Sequence, residues 1–373
     1  MYFQHSNIKI MKKLLLFSFL WIGFTAVSQE EDLTTEEIQY RDSIANLNET
    51  NAAIQKSQEA FNAGIGLIKS KKYTAAISKF SESISADPNF TPAYYNKAIA
   101  ENKAGKYNSA IKTLDILTSK KPSYDKAYFQ RGIAYQGLND YFKSELDFQK
   151  SIELNPKNPK AYYNFGTLKF LQKDYNSAIK QFSKTISMDA NNAYAYNDRG
   201  SCYRMLGKYN EAIKDYETAA HKNGNLAFVL NNIGSTKTKL KQYDLALKAF
   251  NRALSIDPDF YLAYNNRGVT QMKQGKLTDA MNDFSKCIEV NPKYAPAYSN
   301  RSGVKFKKED YKGAEKDASR AIKLNANLAD AYVNRGMARE MQRNMNGACE
   351  DWHKARELGS ELGKNYQSTN CSN

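Results

Sequence analysis

Residues 261–294 read YLAYNNRGVTQMKQGKLTDAMNDFSKCIEVNPKY, and this 34-residue pattern recurs along the chain without an insertion or deletion. A small residue holds the eighth place of each copy, and a second small residue holds the twentieth. Aromatic residues stand four places before the first small series and four places after the second. Because small side chains let two backbones approach closely, these series predict where paired helices cross. The first series is Gly64, Ala98, Gly132, Gly166, Gly200, Gly234, Gly268, Ser302 and Gly336, and the second is Ala76, Ala110, Ser144, Ala178, Ala212, Ala246, Ala280, Ala314 and Ala348.

Nine such units follow one another, from 57–90 through 329–362. The unit resembles the tetratricopeptide repeat, a helix–turn–helix of the same length. One pair of helices cannot bury its apolar face alone, so neighbours are expected to stack with a continuous core. The resemblance implies an all-α fold, namely a right-handed solenoid of nine repeats, with a concave groove lined by the first helix of each unit. It also implies a scaffold that binds other polypeptides.

The first 28 residues have the order of an export signal. Three lysines precede the apolar run 14–27, and small residues at positions 26 and 28 come before Gln29. This order is typical of a cleaved signal peptide, and Met11 begins a more typical bacterial signal than Met1 does. The run is short for a bilayer span, although an uncleaved anchor stays open as the alternative. We therefore expect an exported, periplasmic or otherwise extracytoplasmic protein with no transmembrane span after cleavage.

Charge divides the remaining chain. Residues 29–56 carry seven acidic and two basic side chains, whereas 57–373 carry 49 basic and 32 acidic ones. Thr34 and Glu37 form a capping-box pattern at the start of the acidic segment. An apolar helical stripe follows it: Tyr40, Ile44, Leu47 and Ile54. We expect 29–56 to form one helix that caps the array, with a loose linker as the alternative, and 363–373 to form a short polar tail.

A polar residue holds the sixth place of every unit, and in eight of the nine it is a carboxamide. On a helix this place lies about 200° from the aromatic two residues earlier, so it points away from the core and into the groove. A carboxamide can pair with both backbone groups of an extended peptide. The series resembles the asparagine ladder in the repeat domain of O-linked N-acetylglucosamine transferase, without that enzyme's catalytic domain. The alternative is that it bridges adjacent repeats. The series is Asn62, Asn96, Gln130, Asn164, Asp198, Asn232, Asn266, Asn300 and Asn334.

Two neighbouring columns bear on the partner. Lysines stand seven residues beyond the ladder in five units, where they favour acidic peptides or simply suit a helix C-terminus. They are Lys69, Lys103, Lys239, Lys273 and Lys307. Some family members clamp a chain-terminal carboxylate with a lysine one place before the ladder. No lysine holds that place here, which disfavours such a clamp: it reads Phe61, Tyr95, Phe129, Tyr163, Asn197, Asn231, Asn265, Ser299 and Val333.

An arginine and an aspartate occur together, sixteen residues apart, in five units. The four units without the arginine also lack the aspartate, and positions that vary together usually touch. We therefore predict a structural ion pair between the two helices of these units. The pairs are Arg131 with Asp147, Arg199 with Asp215, Arg267 with Asp283, Arg301 with Asp317, and Arg335 with Asp351.

Among the four cysteines, one pair is placed to form a disulfide bridge. Cys349 points to the place where a further repeat would stand, and Cys371 lies within reach if the tail folds back over that end. The stretch DWHKARELG resembles the closing segment of exported repeat proteins from Bacteroidetes-like bacteria, which often carry cysteines there. Both observations favour a disulfide. Cys202 and Cys287 occupy places typical of small buried residues, so four free thiols remain the alternative.

No catalytic or metal-binding constellation stands out in the sequence. The three histidines are far apart, and there is no phosphate-binding glycine loop or nucleophile elbow. We expect no enzyme activity, cofactor or metal. The leading hypothesis is a scaffold that binds an extended peptide in its groove, and whether that peptide is acidic stays open. The alternatives are a basic surface protein that binds anionic glycan, lipid or nucleic acid, with nucleic acid disfavoured, and a structural spacer in an envelope assembly.

Overall fold

The computed structural model describes residues 34–371, and the predicted signal peptide lies outside the described residues. Within 34–371 the protein consists of 19 α-helices and contains no strand. The chain divides into two compact units, Met1–Asp140 and Tyr141–Asn373. Consecutive helices within each unit pack against one another as a helical repeat solenoid. The all-α fold class implied by the family resemblance is confirmed.

The first unit contains five described helices. They are α1 (Thr35–Lys69), α2 (Tyr73–Ala86), α3 (Thr91–Lys103), α4 (Tyr107–Lys120) and α5 (Asp125–Gly137). The second unit contains fourteen. They are α6 (Tyr141–Leu154), α7 (Pro159–Leu171), α8 (Tyr175–Met188), α9 (Ala193–Met205), α10 (Tyr209–Lys222), α11 (Ala227–Lys239), α12 (Tyr243–Ile256), α13 (Tyr261–Lys273), α14 (Leu277–Val290), α15 (Ala295–Lys307), α16 (Tyr311–Leu324), α17 (Ala329–Met341), α18 (Met345–Glu357) and α19 (Glu361–Asn370).

The two helices of a repeat meet at the predicted small residue. In the sixth repeat, 227–260, a Cβ placed on Gly234 of α11 would lie 2.6 Å from the ring of Phe250 in α12. Phe250 is fully buried. Any side chain at residue 234 would therefore push the ring out of the core. In most repeats the small residue is required because an aromatic side chain of the second helix fills the space beside it.

Two kinds of turn connect the helices. Within each repeat, one residue of the short turn has a left-handed backbone, such as Lys241 with φ 59° or Gly275 with φ 78°. Between most repeats, an Asp or Asn side chain accepts a hydrogen bond from the backbone N–H two residues later, as Asp257 does from Asp259 at 3.1 Å. This side-chain turn replaces the helical hydrogen bond and ends the second helix. The turns recur at fixed places, so the period survives without insertions.

The N-terminal acidic segment differs from its expected boundary. It is continuous with the first helix of the first repeat, giving the 35-residue helix α1 with the predicted Thr34–Glu37 capping box. Nothing in the sequence breaks the helix, because proline is absent from it and its glycines lie in the second half. The apolar stripe is largely open to solvent, with Leu47 54% and Ile54 51% exposed. The segment extends the array rather than folding over it.

The C-terminal tail also differs from the expectation. Residues 361–370 form a helix, α19, which begins before the predicted end of the last repeat. It packs on α18, where Tyr366 stacks on the buried Trp352 with ring centroids 5.2 Å apart. Gly363 lies against Ala355, with no room for a side chain between them. The tail therefore covers the apolar side of α18.

Candidate functional site

The ladder residues of the second unit stand on the first helices of successive repeats, which lie side by side. In three of these repeats the carboxamide donates to the side chain one place before the ladder in the preceding repeat. Asn232 donates to Asn197 at 3.0 Å, and Asn266 donates to Asn231 at 3.0 Å. The last bond of this kind joins Asn300 to Asn265 at 2.9 Å. These amide donors link neighbouring repeats, which is the bridging role that the sequence left as an alternative.

Asn334 and Asp198, at the two ends of this series, also bond to the preceding repeat, but with different hydrogen-bonding groups. Asn334 donates to the backbone carbonyl of Ser299 at 2.9 Å. Asp198, which replaces a carboxamide, accepts from the hydroxyl of Tyr163 at 2.6 Å and from Asn197 at 3.0 Å. Burial raises the pKa of Asp198 above its ordinary range. The partner residues form the column one place before the ladder, where three consecutive asparagines, Asn197, Asn231 and Asn265, are the sequence signal of these bonds.

The earlier ladder residues behave differently. Asn96 donates to the carbonyl of Pro92 and Asn164 to that of Lys160, so each bonds within its own helix. Asn62 accepts from Gln58, again in its own helix. Gln130 accepts from Asn102 of the preceding repeat at 3.1 Å. The ladder column therefore contains residues that bond within their own helix and residues that bond to the neighbouring repeat. Periodicity alone does not distinguish the two.

We call the surface formed by α11, α13, α15 and α17 around their ladder residues the ladder face. A cleft of about 270 Å³ opens on it, lined by residues that include Ser235, Thr238 and Asn266. Lys239 and Lys273 of the predicted lysine column also line it, and both are exposed. Neither makes an ion pair within residues 34–371. The cleft can therefore offer two free cations and several polar groups to a ligand.

The arginine–aspartate pairs lie away from the ladder face. Arg267 donates to both carboxylate oxygens of Asp283, at 2.7 and 2.6 Å, and its guanidinium lies over the ring of Tyr264. Its third nitrogen reaches Asn251 in the second helix of the preceding repeat at 2.6 Å. The carboxylate of Asp283 raises the pKa of Arg267. The pair ties together both helices of its repeat and the repeat before it.

Three further repeats contain the same arrangement. The shortest distances are 2.7 Å for Arg199–Asp215, 2.7 Å for Arg301–Asp317 and 2.6 Å for Arg335–Asp351. Asp147 belongs to the second unit and Arg131 to the first, where Arg131 bonds to Asp115 at 2.7 Å. The Arg131–Asp147 pair stays a prediction.

The cysteines fall into two classes. Cys349 and Cys371 form a disulfide, with their Cα atoms 5.8 Å apart. It fastens the end of α19 to α18. Cys202 and Cys287 are free and fully buried. Burial raises the pKa of each to about 12, which leaves both as unreactive thiols at neutral pH.

Residues 34–371 contain no group of three or more His, Cys, Asp or Glu side chains placed to hold a metal ion. None of the helices described for this chain combines the length and the apolar character needed to cross a membrane. The absence of enzyme activity and of a cofactor stays a prediction.

Comparison with known proteins identifies the array. Models described as TPR repeat or tetratricopeptide repeat match residues 67–133, 125–158, 148–180, 193–225, 234–275 and 261–294. The chain belongs to the tetratricopeptide-repeat family. Tetratricopeptide repeats form protein–protein interaction scaffolds, typically without catalytic activity, and this array is such a scaffold. No curated protein sequence matches the chain.

Solved structures share the fold. A tetratricopeptide repeat protein from Parabacteroides merdae has a TM-score of 0.57 at 21% identity, over 67% of this chain and 100% of that one. PilW, described as a type IV pilus biogenesis factor, has a TM-score of 0.51 at 20% identity, over 56% of this chain and 97% of its own. PilF of Pseudomonas aeruginosa has a TM-score of 0.50 at 18% identity, over 56% of this chain and 96% of its own. At these identities the likeness concerns the fold.

Proposed function

We propose that the ladder face binds an extended acidic segment of a partner protein. The observation that carries this proposal is the cleft lined by Asn266, Lys239 and Lys273. The two lysines stand on α11 and α13, one repeat apart, and Lys307 continues their column on α15. Carboxylates spaced along an extended chain can pair with successive lysines, and the polar groups beside them can receive the backbone.

The lysines rather than the asparagines are the main contacts in this proposal. The amide of Asn266 donates to Asn231 and lies 3.3 Å from the hydroxyl of Ser235. Its oxygen accepts from Asn265 at 3.3 Å. A peptide backbone would have to replace these bonds, and such an exchange adds little net free energy. Unpaired lysines lose no such partner when they bind.

Fluorescence anisotropy with a labelled short glutamate peptide tests the proposal. Lys239→Glu combined with Lys273→Glu should weaken binding at least about tenfold, which corresponds to about 1.4 kcal/mol. A glutamine peptide of equal length should bind much more weakly than the glutamate peptide. The expected affinity falls with added salt, because the contacts are between exposed charges.

The matched control changes the same net charge on another surface. Lys180→Glu combined with Lys214→Glu alters two exposed lysines of second helices, away from the ladder face. The affinity of this variant for the glutamate peptide should fall about twofold or less, since its lysines lie farther from the bound peptide. An equal loss in both variants would overturn the proposal and favour general binding of anions by the basic surface.

We also propose that the protein is exported. The composition of residues 1–28 supports this, and so does the disulfide between Cys349 and Cys371, because disulfides persist in oxidising compartments. Expression of the full chain in a bacterium, followed by intact-mass measurement of the periplasmic fraction, should give a chain that begins at Gln29. Retention of the uncleaved chain in the membrane fraction would contradict the proposal and favour an anchor.

A further inference from the structure

An open cleft lies on the repeat 227–260, between second helices and apart from the ladder residues. Its floor is α11 and its walls are α10 and α12, and its volume is about 450 Å³. Leu230 and Ile233 lie at the bottom, only 3% and 5% exposed. Leu245 lies at the mouth and is 46% exposed. We call this surface the outer cleft.

The outer cleft exists because the sixth repeat lacks the tyrosine, arginine and aspartate that fill the equivalent space in the next repeat. In the next repeat the guanidinium lies between the tyrosine ring, the aspartate and the preceding second helix. The sixth repeat has two aliphatic side chains and an alanine at the same three places, and they are shorter or uncharged. They are Leu230, Ile233 and Ala249, in place of Tyr264, Arg267 and Asp283.

The rim of the outer cleft is cationic. Lys237, Lys248 and Arg252 line it together with the single carboxylate of Glu217. Lys237 is paired with Glu217 at 3.0 Å. Lys248 and Arg252 are exposed and make no ion pair within the described part of the chain. An apolar floor below two free cations suits a group that is apolar at its tip and negative beside it.

Lys248 and Arg252 alone would not mark a site, because basic residues recur at their places in other repeats, as Lys180 and Lys184 do. The exposed leucine is the distinguishing feature. At the place of Leu245 every other repeat has a small or polar residue: Ala75, Ser109, Lys143, Ser177, Glu211, Asp279, Gly313 and Gly347. A single large apolar side chain at the mouth of an apolar cleft enlarges the surface that a ligand can cover.

We propose that the outer cleft binds an acidic segment of a partner protein by taking in one of its large apolar side chains. The walls are two helices and the mouth is open, so a chain can continue past the cleft after inserting one side chain. Carboxylates next to that side chain would then reach Lys248 and Arg252 on the rim. An apolar anchor in a pocket, surrounded by charged contacts, is the usual form of a strong interface contact.

The test uses a labelled short peptide that has one phenylalanine flanked by glutamates, and it measures fluorescence anisotropy. In the filled variant, Leu230→Tyr, Ile233→Arg and Ala249→Asp install the residues of the next repeat. The filled variant should bind the peptide at least about tenfold more weakly than the wild-type protein. Replacing the peptide's phenylalanine by alanine should cause a similar loss with the wild-type protein and little further loss with the filled variant.

Further variants cover a failure of the filled variant to fold, which a thermal melt would reveal. Leu245→Glu changes an exposed side chain to the residue found one repeat earlier, and it should also weaken binding. Lys248→Glu with Arg252→Glu should weaken binding more than the matched pair Lys180→Glu with Lys184→Glu. In the matched repeat the space below the lysines holds Phe165, which is buried.

The outcomes separate this proposal from binding at the ladder face. Loss in the outer-cleft variants, with the dependence on phenylalanine kept in Lys239→Glu/Lys273→Glu, supports the proposal. Wild-type binding that is unaffected by the filled variant and by Leu245→Glu would overturn it. Absence of saturable binding up to about 1 mM peptide would overturn it as well.

Discussion

The repeats 227–260 and 261–294 are neighbours in one unit, and they differ in the space between the first helix and the two second helices beside it. One repeat closes this space and the other leaves it open. The later repeat closes it with the Arg267–Asp283 pair, whose atoms are 2.6 Å apart. The earlier repeat places Ile233 and Ala249 there and leaves the outer cleft open. In both repeats the glycine–phenylalanine contact between the paired helices is the same. The crossing contact therefore sets the fold, whereas the ion pair is a variable filling of the repeat.

The largest expected effect comes from removing one partner of the ion pair. Asp283 is 5% exposed, and Asp283→Ala leaves the Arg267 guanidinium without its carboxylate. This change should lower the free energy of unfolding by about 3 kcal/mol. Urea unfolding of the purified protein measures the difference.

The neighbouring repeat supplies the control for that experiment. Arg267→Ile with Asp283→Ala reproduces the residues of the sixth repeat, so it removes the pair without leaving an unpaired charge. The double variant should lower the free energy of unfolding by less than Asp283→Ala alone does. A double variant that is less stable than Asp283→Ala would show that the arginine contributes mainly through its tyrosine and asparagine contacts.

A smaller effect is expected at the ladder. Asn266→Ala removes the hydrogen bond from the seventh repeat to Asn231 of the sixth and should cost about 1 kcal/mol. Asn96→Ala removes only a bond to a carbonyl of its own helix and should cost less. The same urea experiment compares them. Equal costs would mean that the bond between repeats adds no stability.

The fifth repeat provides a pH-dependent comparison, because it has Asp198 where the next two repeats have asparagine. Burial raises the pKa of Asp198, so the folded state disfavours its ionised form. The resulting stability is present below about pH 4 and is lost as the pH rises through the raised pKa. Asp198→Asn should therefore stabilise the protein at neutral pH, because it removes a carboxylate whose ionised form is disfavoured by burial.

Thermal melts of the wild-type protein and of Asp198→Asn across the acid range measure this difference. The gain should disappear below about pH 4, where the wild-type carboxyl is protonated in both states. A gain that is independent of pH would instead indicate better hydrogen bonding to Tyr163 and Asn197.

The smallest expected effect lies in the turns between the two helices of the repeats 227–260 and 261–294. Lys241 and Gly275 hold equivalent places with left-handed backbones, at φ 59° and 78°. A lysine is strained there and a glycine is not, although glycine loses more entropy on folding. Lys241→Gly should stabilise by about 0.5 kcal/mol, and Gly275→Lys should destabilise by a similar amount. Opposite signs would show that the entropy of the unfolded chain outweighs the strain.

Periodicity predicted the fold because most repeats contain the same physical contact. A glycine and an aromatic side chain that recur every 34 residues, as Gly234 and Phe250 do, can be recognised without a structure. The Arg267–Asp283 pair could be predicted for a related reason, since both partners change together from repeat to repeat.

The outer cleft could not be predicted in the same way. It depends on how much volume Ile233 and Ala249 leave between helices, and a residue pattern does not give that volume. The role of the ladder was equally inaccessible, because Asn96 and Asn266 share a column but reach different partners. At both ends a helix runs across the boundary expected from the sequence, because no contact repeated along the array fixes a helix end there.

The continuous helix α1 has a mechanical consequence. Residues 35–56 add about 30 Å of helix before the first repeat begins, at 1.5 Å per residue. A helix with no internal proline resists bending, so this stretch acts as an arm and not as a tether. Thr34 is therefore held at a set distance from the first repeat and turns together with it.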